Sequence, residues 1–208
     1  MTNLVTRFAP SPTGNLHLGG ARTALINFIL SKKYESAKFY LRIEDTDKIR
    51  SKKEFEKNII ESLIWLGINW DSEPQIQSNN YKRHLEIAHK MLSNDFAYKC
   101  ICSDEELEKR RNIIRSSNSS NKKICIKCKN NKQTQKLDSN YTIRINISSK
   151  ENIIVNDLIQ GNVEINSEEI DDYIIIRKDN SPTYMLSVVV DDHDMGVNLI
   201  LRGDDHIN

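Results

Sequence analysis

The opening thirty residues constrain the fold most, because they place a strand, a stiff loop and a helix in immediate succession. Residues 2–8 predict a short strand, and residues 16–30, rich in Ala, Leu and Ile, predict a helix. Between them lies a Pro-Ser-Pro-Thr-Gly turn at residues 10–14, whose prolines restrict the backbone and whose glycine lets a ligand approach. A strand that ends in such a turn and leads into a helix is typical of an α/β fold.

The next segments repeat the alternation of strand and helix. Residues 39–43 alternate apolar and polar side chains, as a strand does, and are followed by the acidic run 44–47 in a loop. Apolar residues then recur every three or four positions through residues 52–66, which predicts an amphipathic helix ended by Gly67. This order predicts an α/β fold with a doubly wound, Rossmann-like parallel sheet, whose ligands bind beyond the carboxyl ends of the strands.

The character of the sequence changes after residue 100. Residues 116–135 are dense in Ser, Asn and Lys and poor in apolar residues, which by itself is typical of a linker. Residues 141–147 then alternate strictly between apolar and polar, and residues 153–165, with Gly161 at a turn, continue the β pattern. We interpret this region as a β-rich insertion into the first domain.

Two apolar runs after the insertion, residues 173–176 and 188–190, predict strands that return to the first sheet. The expected domains are the first half of a nucleotide-binding domain at 1–99, the inserted domain at 100–170, and the second half of the nucleotide-binding domain at 171–208.

Composition narrows the class of protein. The chain has 30 Lys and Arg against 29 Asp and Glu, so its net charge of +1 gives no global signal for a polyanionic partner. Its apolar runs are far shorter than the ~20 residues of a membrane span, and the sequence does not open with a basic stretch followed by an apolar one. We therefore expect a soluble, cytoplasmic protein with no membrane partner, whose cysteines are thiols or metal ligands rather than disulfides.

The four cysteines form two close pairs. Cys100 and Cys102 are followed after 22 residues by Cys125 and Cys128, a spacing that suits one tetrahedral structural Zn²⁺ ion. Metal binding would also supply folding free energy to a segment that has few apolar residues. The alternative is a set of four reduced surface thiols.

The segment that holds these cysteines is basic. Residues 100–136 contain ten Lys or Arg and four Asp or Glu, a local excess that the balanced total conceals. Lysine and arginine contacts to phosphates would give salt-dependent RNA binding, whereas the alternative is a loop that is merely solvated.

The loop that enters the first helix has the features of an anion site. Backbone N–H groups and the helix dipole favour a phosphate at the start of a helix, and His17 stands at that junction, before Gly19 and Gly20. A histidine there can donate a hydrogen bond where charge builds up during phosphoryl transfer. The alternative is an ordinary β-α turn with a surface histidine.

Residues 6–25, which carry the string Thr-Arg-Phe-Ala-Pro-Ser-Pro-Thr-Gly-Asn-Leu-His-Leu-Gly-Gly-Ala-Arg-Thr-Ala-Leu, resemble the signature of bacterial glutamyl-tRNA synthetases, a class I aminoacyl-tRNA synthetase family. The resemblance continues through the Arg-Ile-Glu-Asp-Thr-Asp run at 42–47. It reappears at residues 182–184, 189–192 and 201–206, so that its blocks span nearly the whole chain.

The resemblance implies roles for individual residues. Those implied for L-glutamate are Arg7, Tyr184 and Arg202 on the side-chain carboxylate, Glu44 on the ammonium, and Ala9 and Ser11 along the pocket. Those implied for ATP are Pro10, Thr13, Gly14, His17, Gly20 and Asp205, with His17, Gly19 and Gly20 as the catalytic set.

Alternatives exist for the charged residues. Arg7 and Arg202 could be surface arginines at strand ends, and residues 44–47 could be a solvated turn or part of a Mg²⁺ site, although Mg²⁺ bound with ATP is held largely by phosphates and water. No chemistry is assigned to Asp191 or Asp192.

The implied function is glutamate–tRNA ligase: ATP-dependent formation of glutamyl-adenylate, followed by transfer to tRNA(Glu), by a monomeric protein. The lysine signature loop of the family is expected beyond residue 208, so we expect this chain, as an N-terminal portion, to be inactive alone in aminoacylation. Two alternative functions are a glutamyl-queuosine tRNA(Asp) synthetase and a non-catalytic, zinc-containing tRNA-binding fragment.

Overall fold

A computed structural model describes residues 3–117, 122–147 and 152–203. The chain divides into two compact units, the first formed by Met1–Arg83 with Ser187–Asn208 and the second by His84–Leu186. The second unit therefore begins before the predicted boundary at residue 100 and ends after the predicted boundary at residue 170.

The first unit contains the predicted parallel sheet. Its strands and helices, in chain order, are β1 Val5–Phe8, α1 Leu18–Lys32, β2 Lys38–Ile43, α2 Lys53–Trp65 and β3 Gln75–Ile76. The strands pair in the order β1-β2-β3, all parallel. This confirms the Rossmann-like α/β fold, and the carboxyl ends of β1 and β2 lie at one edge of the sheet.

The central strand β2 is buried on both faces. Phe39, Leu41 and Ile43 lie on one face and pack in a core with Ile59 and Leu63 of α2. Because strand side chains alternate between faces, Arg42 points to the opposite face, where it is also fully buried. One face of β2 thus contributes to an apolar core, and the other face carries a buried charged group.

The second unit contains an antiparallel sheet and a hairpin. In chain order its remaining elements are α3 Tyr81–Ser93, which begins in the first unit, β4 Ala97–Cys100, α4 Asp104–Ser117, α5 Lys132–Gln135, β5 Thr142–Ile145, β6 Asn152–Asp157, β7 Gly161–Asn166 and β8 Ile174–Ile176. The sheet order is β4-β5-β8, and β6 pairs with β7. The β-rich pattern of the predicted insertion is confirmed in these strands.

The prediction that residues 173–176 return to the first sheet is wrong. The strand exists, but β8 pairs antiparallel with β5, with Ile176 opposite Ile143 in the second unit. A three-residue apolar run carries no information about which sheet edge it joins, because its partner is fixed by tertiary pairing.

The prediction of a strand at residues 188–190 is also wrong. These residues lie inside helix α6, Tyr184–Asp194, which crosses from the second unit into the first. Leu186 and Val190, four residues apart, are buried, whereas Val189 between them is 64% exposed. That spacing is helical, so packing of one helix face outweighs the β preference of consecutive valines.

Within the described residues, no helix is long and apolar enough to cross a membrane.

Candidate functional site

The loop after β1 is fixed to the segment that follows β2. The carbonyl oxygen of Pro10 accepts a hydrogen bond of 2.9 Å from the amide of Glu44, and that of Pro12 accepts one of 3.0 Å from the amide of Lys52. These bonds hold the loop at the carboxyl edge of the sheet, where α/β proteins bind their ligands.

His17 caps the helix that this loop enters. It occupies the N-cap position of α1, and its Nδ1 accepts a hydrogen bond of 3.3 Å from the amide of Gly20. With Nδ1 used as an acceptor, the neutral ring carries its proton on Nε2, which is then a donor. A Cβ on Gly19 would lie 3.1 Å from both Nδ1 and Cε1 of His17, close enough that the ring would have to shift by a few tenths of an ångström.

The other predicted loop residues surround this junction. Ala9, Pro10 and Gly14 are half-buried, whereas Ser11 and Thr13 are exposed. The backbone of the loop, rather than buried side chains, therefore defines this part of the site.

A buried ion network lies behind the loop, centred on Arg42. Its Nη2 donates to Oε1 of Glu44 at 2.8 Å and its Nε to the same oxygen at 3.3 Å. Its Nη1 donates to Oδ1 of Asp192 at 2.6 Å. All three side chains are buried, with Arg42 at 0% exposure, so each charge depends on its partners.

Arg7 joins this network through Asp192. The Nε of Arg7 donates to Oδ1 of Asp192 at 3.0 Å, and its Nη2 donates to Oδ2 at 3.3 Å. This two-point contact fixes the plane of the guanidinium group. Arg7 and Glu44, which the sequence predicts to bind opposite ends of glutamate, are therefore linked through two other charged residues.

Asp191 is held beside the network by neutral amides. Its carboxylate accepts hydrogen bonds of 2.8 Å from Nε2 of Gln77 and 3.0 Å from Nδ2 of Asn80, and it lies 4.0 Å from Nε of Arg42. The set of two arginines and three carboxylates thus carries a formal charge of −1 when all are ionised. Burial raises the pKa of the Glu44 carboxyl above its ordinary value, and the charge of Arg42 opposes that rise.

Two further predicted residues, Tyr184 and Arg202, are exposed. Tyr184 is the first residue of α6, belongs to the second unit and is 40% exposed. Arg202 is exposed near the end of the described chain. Asp205 lies outside the described residues.

The four cysteines, in contrast, come together as predicted. Their Sγ atoms all lie within 4.8 Å of one another, and the closest pairs are 3.4–3.6 Å apart. A tetrahedral metal–thiolate centre with bonds of ~2.3 Å places its sulfurs about 3.8 Å apart. All four thiols are buried, so the alternative of surface thiols is excluded, and the cluster could hold a metal ion.

Burial and mutual hydrogen bonds shift the pKa values of these thiols in both directions. The pKa of the Cys100 thiol is lowered to about 4, chiefly by its hydrogen bond with the Cys125 thiol, and the buried guanidinium of Arg144 acts in the same direction. The pKa of the Cys125 thiol is raised by the same hydrogen bond and by burial, and burial raises the pKa of the Cys102 thiol to about 12. Metal ligation would replace the remaining thiol protons.

Sequence reasoning missed several residues that build the site. Asp192 had no assigned role, because a buried aspartate cannot be told from a surface one until its helix is placed. Asn58 of α2 accepts a hydrogen bond of 3.1 Å from the amide of Leu16 and so anchors the loop before His17. Arg42 itself gives no signal, because it occupies a polar position in the alternating pattern of residues 39–43.

Comparison with known proteins gives a family match over nearly the whole chain. The model for tRNA synthetases class I (E and Q), catalytic domain, matches residues 3–208. A glutamate–tRNA ligase of Orientia tsutsugamushi is 47% identical over 216 residues, and one of Erythrobacter litoralis is 46% identical over 221 residues. Both alignments cover 100% of this chain but only 44% and 43% of the relatives, so the chain spans less than half of their length.

Solved structures agree with the family match. A crystal structure of a glutamate tRNA ligase from Elizabethkingia meningosepticum, in complex with its amino acid, has a TM-score of 0.82 and 31% identity. The structural alignment covers 97% of this chain and 44% of the Elizabethkingia meningosepticum chain. A glutamate–tRNA synthetase from Elizabethkingia anophelis has a TM-score of 0.81 and 30% identity, and covers 98% of this chain and 45% of that one.

Replacement of Gly19 by alanine tests the placement of His17. The new Cβ would lie 3.1 Å from two ring atoms, so we expect the ring to shift and its hydrogen bond from the Gly20 amide to weaken. Nitrogen NMR shifts of the His17 ring should then change from a single Nε2–H tautomer to a mixture.

The control for this change is Gly14→Ala. A Cβ on Gly14 meets no atom within 4 Å, so this variant should keep the wild-type shifts of His17. An unchanged His17 tautomer in Gly19→Ala would contradict the assigned role of the glycine.

Proposed function

The chain belongs to the class I tRNA synthetases (E and Q), and on that premise we propose that it binds ATP and L-glutamate as part of a glutamate–tRNA ligase. The whole enzyme would activate glutamate and transfer it to tRNA(Glu). Relatives named glutamate–tRNA ligase, at 46–47% identity over the full chain, support this function over the two alternatives.

One observation carries the proposal most directly: two buried side chains of opposite charge, Arg7 and Glu44, lie at the carboxyl ends of adjacent parallel strands. Glutamate has an ammonium at one end and a carboxylate at the other, so it needs an anion and a cation in one pocket. Glu44 would accept hydrogen bonds from the ammonium, and Arg7, joined by Arg202, would bind the side-chain carboxylate.

The start of α1 suits the second substrate. Backbone N–H groups at the start of a helix, together with the Nε2 donor of His17, would bind the phosphates of ATP. Mg²⁺ bound with ATP would neutralise part of the phosphate charge. The α-carboxylate of glutamate attacks the α-phosphorus and displaces pyrophosphate, and a ribose hydroxyl of the tRNA then attacks the acyl carbon and releases AMP. Both steps need positioned donors rather than a protein nucleophile.

The second unit would serve the tRNA. The metal of the four-cysteine cluster is proposed to be Zn²⁺, because four thiolates in tetrahedral arrangement are its preferred structural ligand set. With the ion bound, the cluster would hold the basic segment at residues 122–136 in one conformation. Lysines of that segment would contact phosphates near the acceptor end.

A substitution at Glu44 tests glutamate binding. We expect the wild-type chain to bind L-glutamate weakly, with a dissociation constant on the order of millimolar. Glu44→Gln keeps the shape but loses the charge that pairs with the ammonium, so binding should weaken about tenfold or more. An NMR titration of the backbone amides measures both constants.

A surface carboxylate provides the matched control. Glu54→Gln neutralises a side chain that is 65% exposed and pairs with Lys52 at 3.5 Å, so it should bind glutamate as the wild type does. If the wild-type chain does not bind glutamate, or if Glu44→Gln binds it equally well, the proposal is wrong.

The zinc assignment has its own test. Elemental analysis should find one Zn²⁺ per wild-type chain and much less in a Cys125→Ser/Cys128→Ser variant. Loss of the ion should also lower the thermal stability of the second unit, because metal binding contributes folding free energy.

The control lies between the same two cysteines. Ile126 is 56% exposed, and Ile126→Ser changes this segment without removing a ligand, so it should keep its zinc. A full zinc content in the double cysteine variant would place the ion elsewhere.

A further inference from the structure

Arg42 and Asp192 separate the two charged residues that are proposed to bind glutamate. Glu44, Arg42, Asp192 and Arg7 form a chain of alternating charge, in which each member contacts the next at 3.0 Å or less. The two ligand-binding residues are the ends of this chain. The two interior residues are fully or almost fully buried, at 0% and 8% exposure.

The contacts leave one free side on each end residue. Both bonds from Arg42 to Glu44 fall on Oε1, and no described residue donates a hydrogen bond to Oε2. Asp192 engages the Nε and Nη2 side of Arg7, and no described carboxylate contacts Nη1. A guanidinium held along one edge presents its other edge for a second two-point contact.

Without these interior partners, the two ends would attract each other. The charge of Arg7 already acts on Glu44 across the cluster, where it offsets part of the rise in pKa that burial causes. In a buried site of low dielectric, two opposite charges with no other partners form a pair. Such a pair would block the acceptor for the ammonium and the donor for the side-chain carboxylate at the same time.

We propose that Arg42 and Asp192 are positioning residues that keep Arg7 and Glu44 from pairing with each other, and that they thereby set selectivity for a ligand with both an ammonium and a distal carboxylate. This inference rests on the proposed function. Neither residue needs to touch the substrate. Arg42 orients Glu44 through hydrogen bonds to Oε1, and Asp192 orients Arg7 through the edge that carries Nε.

Asp191, next to Asp192 in sequence, has other partners among the described residues. Gln77 and Asn80 donate hydrogen bonds to its carboxylate, and its Oδ2 lies 4.0 Å from Nε of Arg42. It adds negative charge to the cluster. Asp192 is the residue whose Oδ1 contacts both Arg7 and Arg42.

Asp192→Asn tests the proposal with two ligands. L-glutamate carries the ammonium, and glutarate is the same dicarboxylate chain without it. We expect the wild type to prefer glutamate by about tenfold, because the ammonium gains a charge-assisted bond to Glu44. In Asp192→Asn, Arg7 is released towards Glu44, and the ratio of the two dissociation constants should fall towards one.

The ratio of the two dissociation constants distinguishes a loss of positioning from a general loss of stability. A substitution that only loosened the fold would weaken both ligands alike and leave their ratio unchanged. Arg42→Lys provides a second test should Asp192→Asn fail to fold. It keeps a cation but not the fork that reaches Glu44 and Asp192 together, so it should lower the ratio in the same direction.

The matched control lies on the same helix. Asp194 makes a two-point contact with Arg83 at 2.9 and 3.3 Å, but both side chains are over one third exposed. Asp194→Asn should leave both dissociation constants at their wild-type values.

The outcomes distinguish failure of the proposed function from failure of the positioning role alone. A wild-type chain that does not bind glutamate contradicts the proposed function and this inference with it. A wild-type chain that binds glutamate, together with an unchanged glutamate-to-glutarate ratio in Asp192→Asn or Arg42→Lys, overturns this inference alone.

Discussion

Arg42 places a guanidinium group in the interior of the first unit, where an unpaired charge would cost several kcal/mol. Its position on the central strand leaves no route to solvent, so the surrounding chain must supply carboxylates. Glu44 comes from the same strand end, and Asp192 comes from α6, about 150 residues later in sequence. The buried charge therefore joins the C-terminal part of this unit to the parallel sheet and places both partners at its ligand-binding edge.

The second unit also contains buried groups that can carry charge, and here the groups are thiols. Four buried sulfurs within 4.8 Å of one another would carry a charge of −2 around a divalent ion, and Arg144 is the buried cation beside them. In each unit a buried arginine stabilises the negative charge of its neighbours, and these contacts fix the positions of the side chains around it. Such networks are strongly destabilised when one member is removed, because the partner is left unpaired.

Local patterns predicted the parts of the chain that depend on local physics. The strand–loop–helix order of the first seventy residues, the spacing of the four cysteines and the loop that ends at His17 were all confirmed. The strand assignment at 188–190 was wrong, because three valines favour a strand until one face of the helix is buried. The role of Asp192 could not be predicted either, since it depends on a contact with Arg42 that only the tertiary fold creates.

The central claim is that Asp192 prevents Arg7 and Glu44 from pairing. A double-mutant cycle measures their coupling directly, with Arg7→Gln, Glu44→Gln and the double variant compared by free energy of unfolding. We predict that the coupling is larger in an Asp192→Asn background than in the wild-type background, because the two end residues then pair with each other. A coupling that is equal or smaller in the Asp192→Asn background would contradict the account.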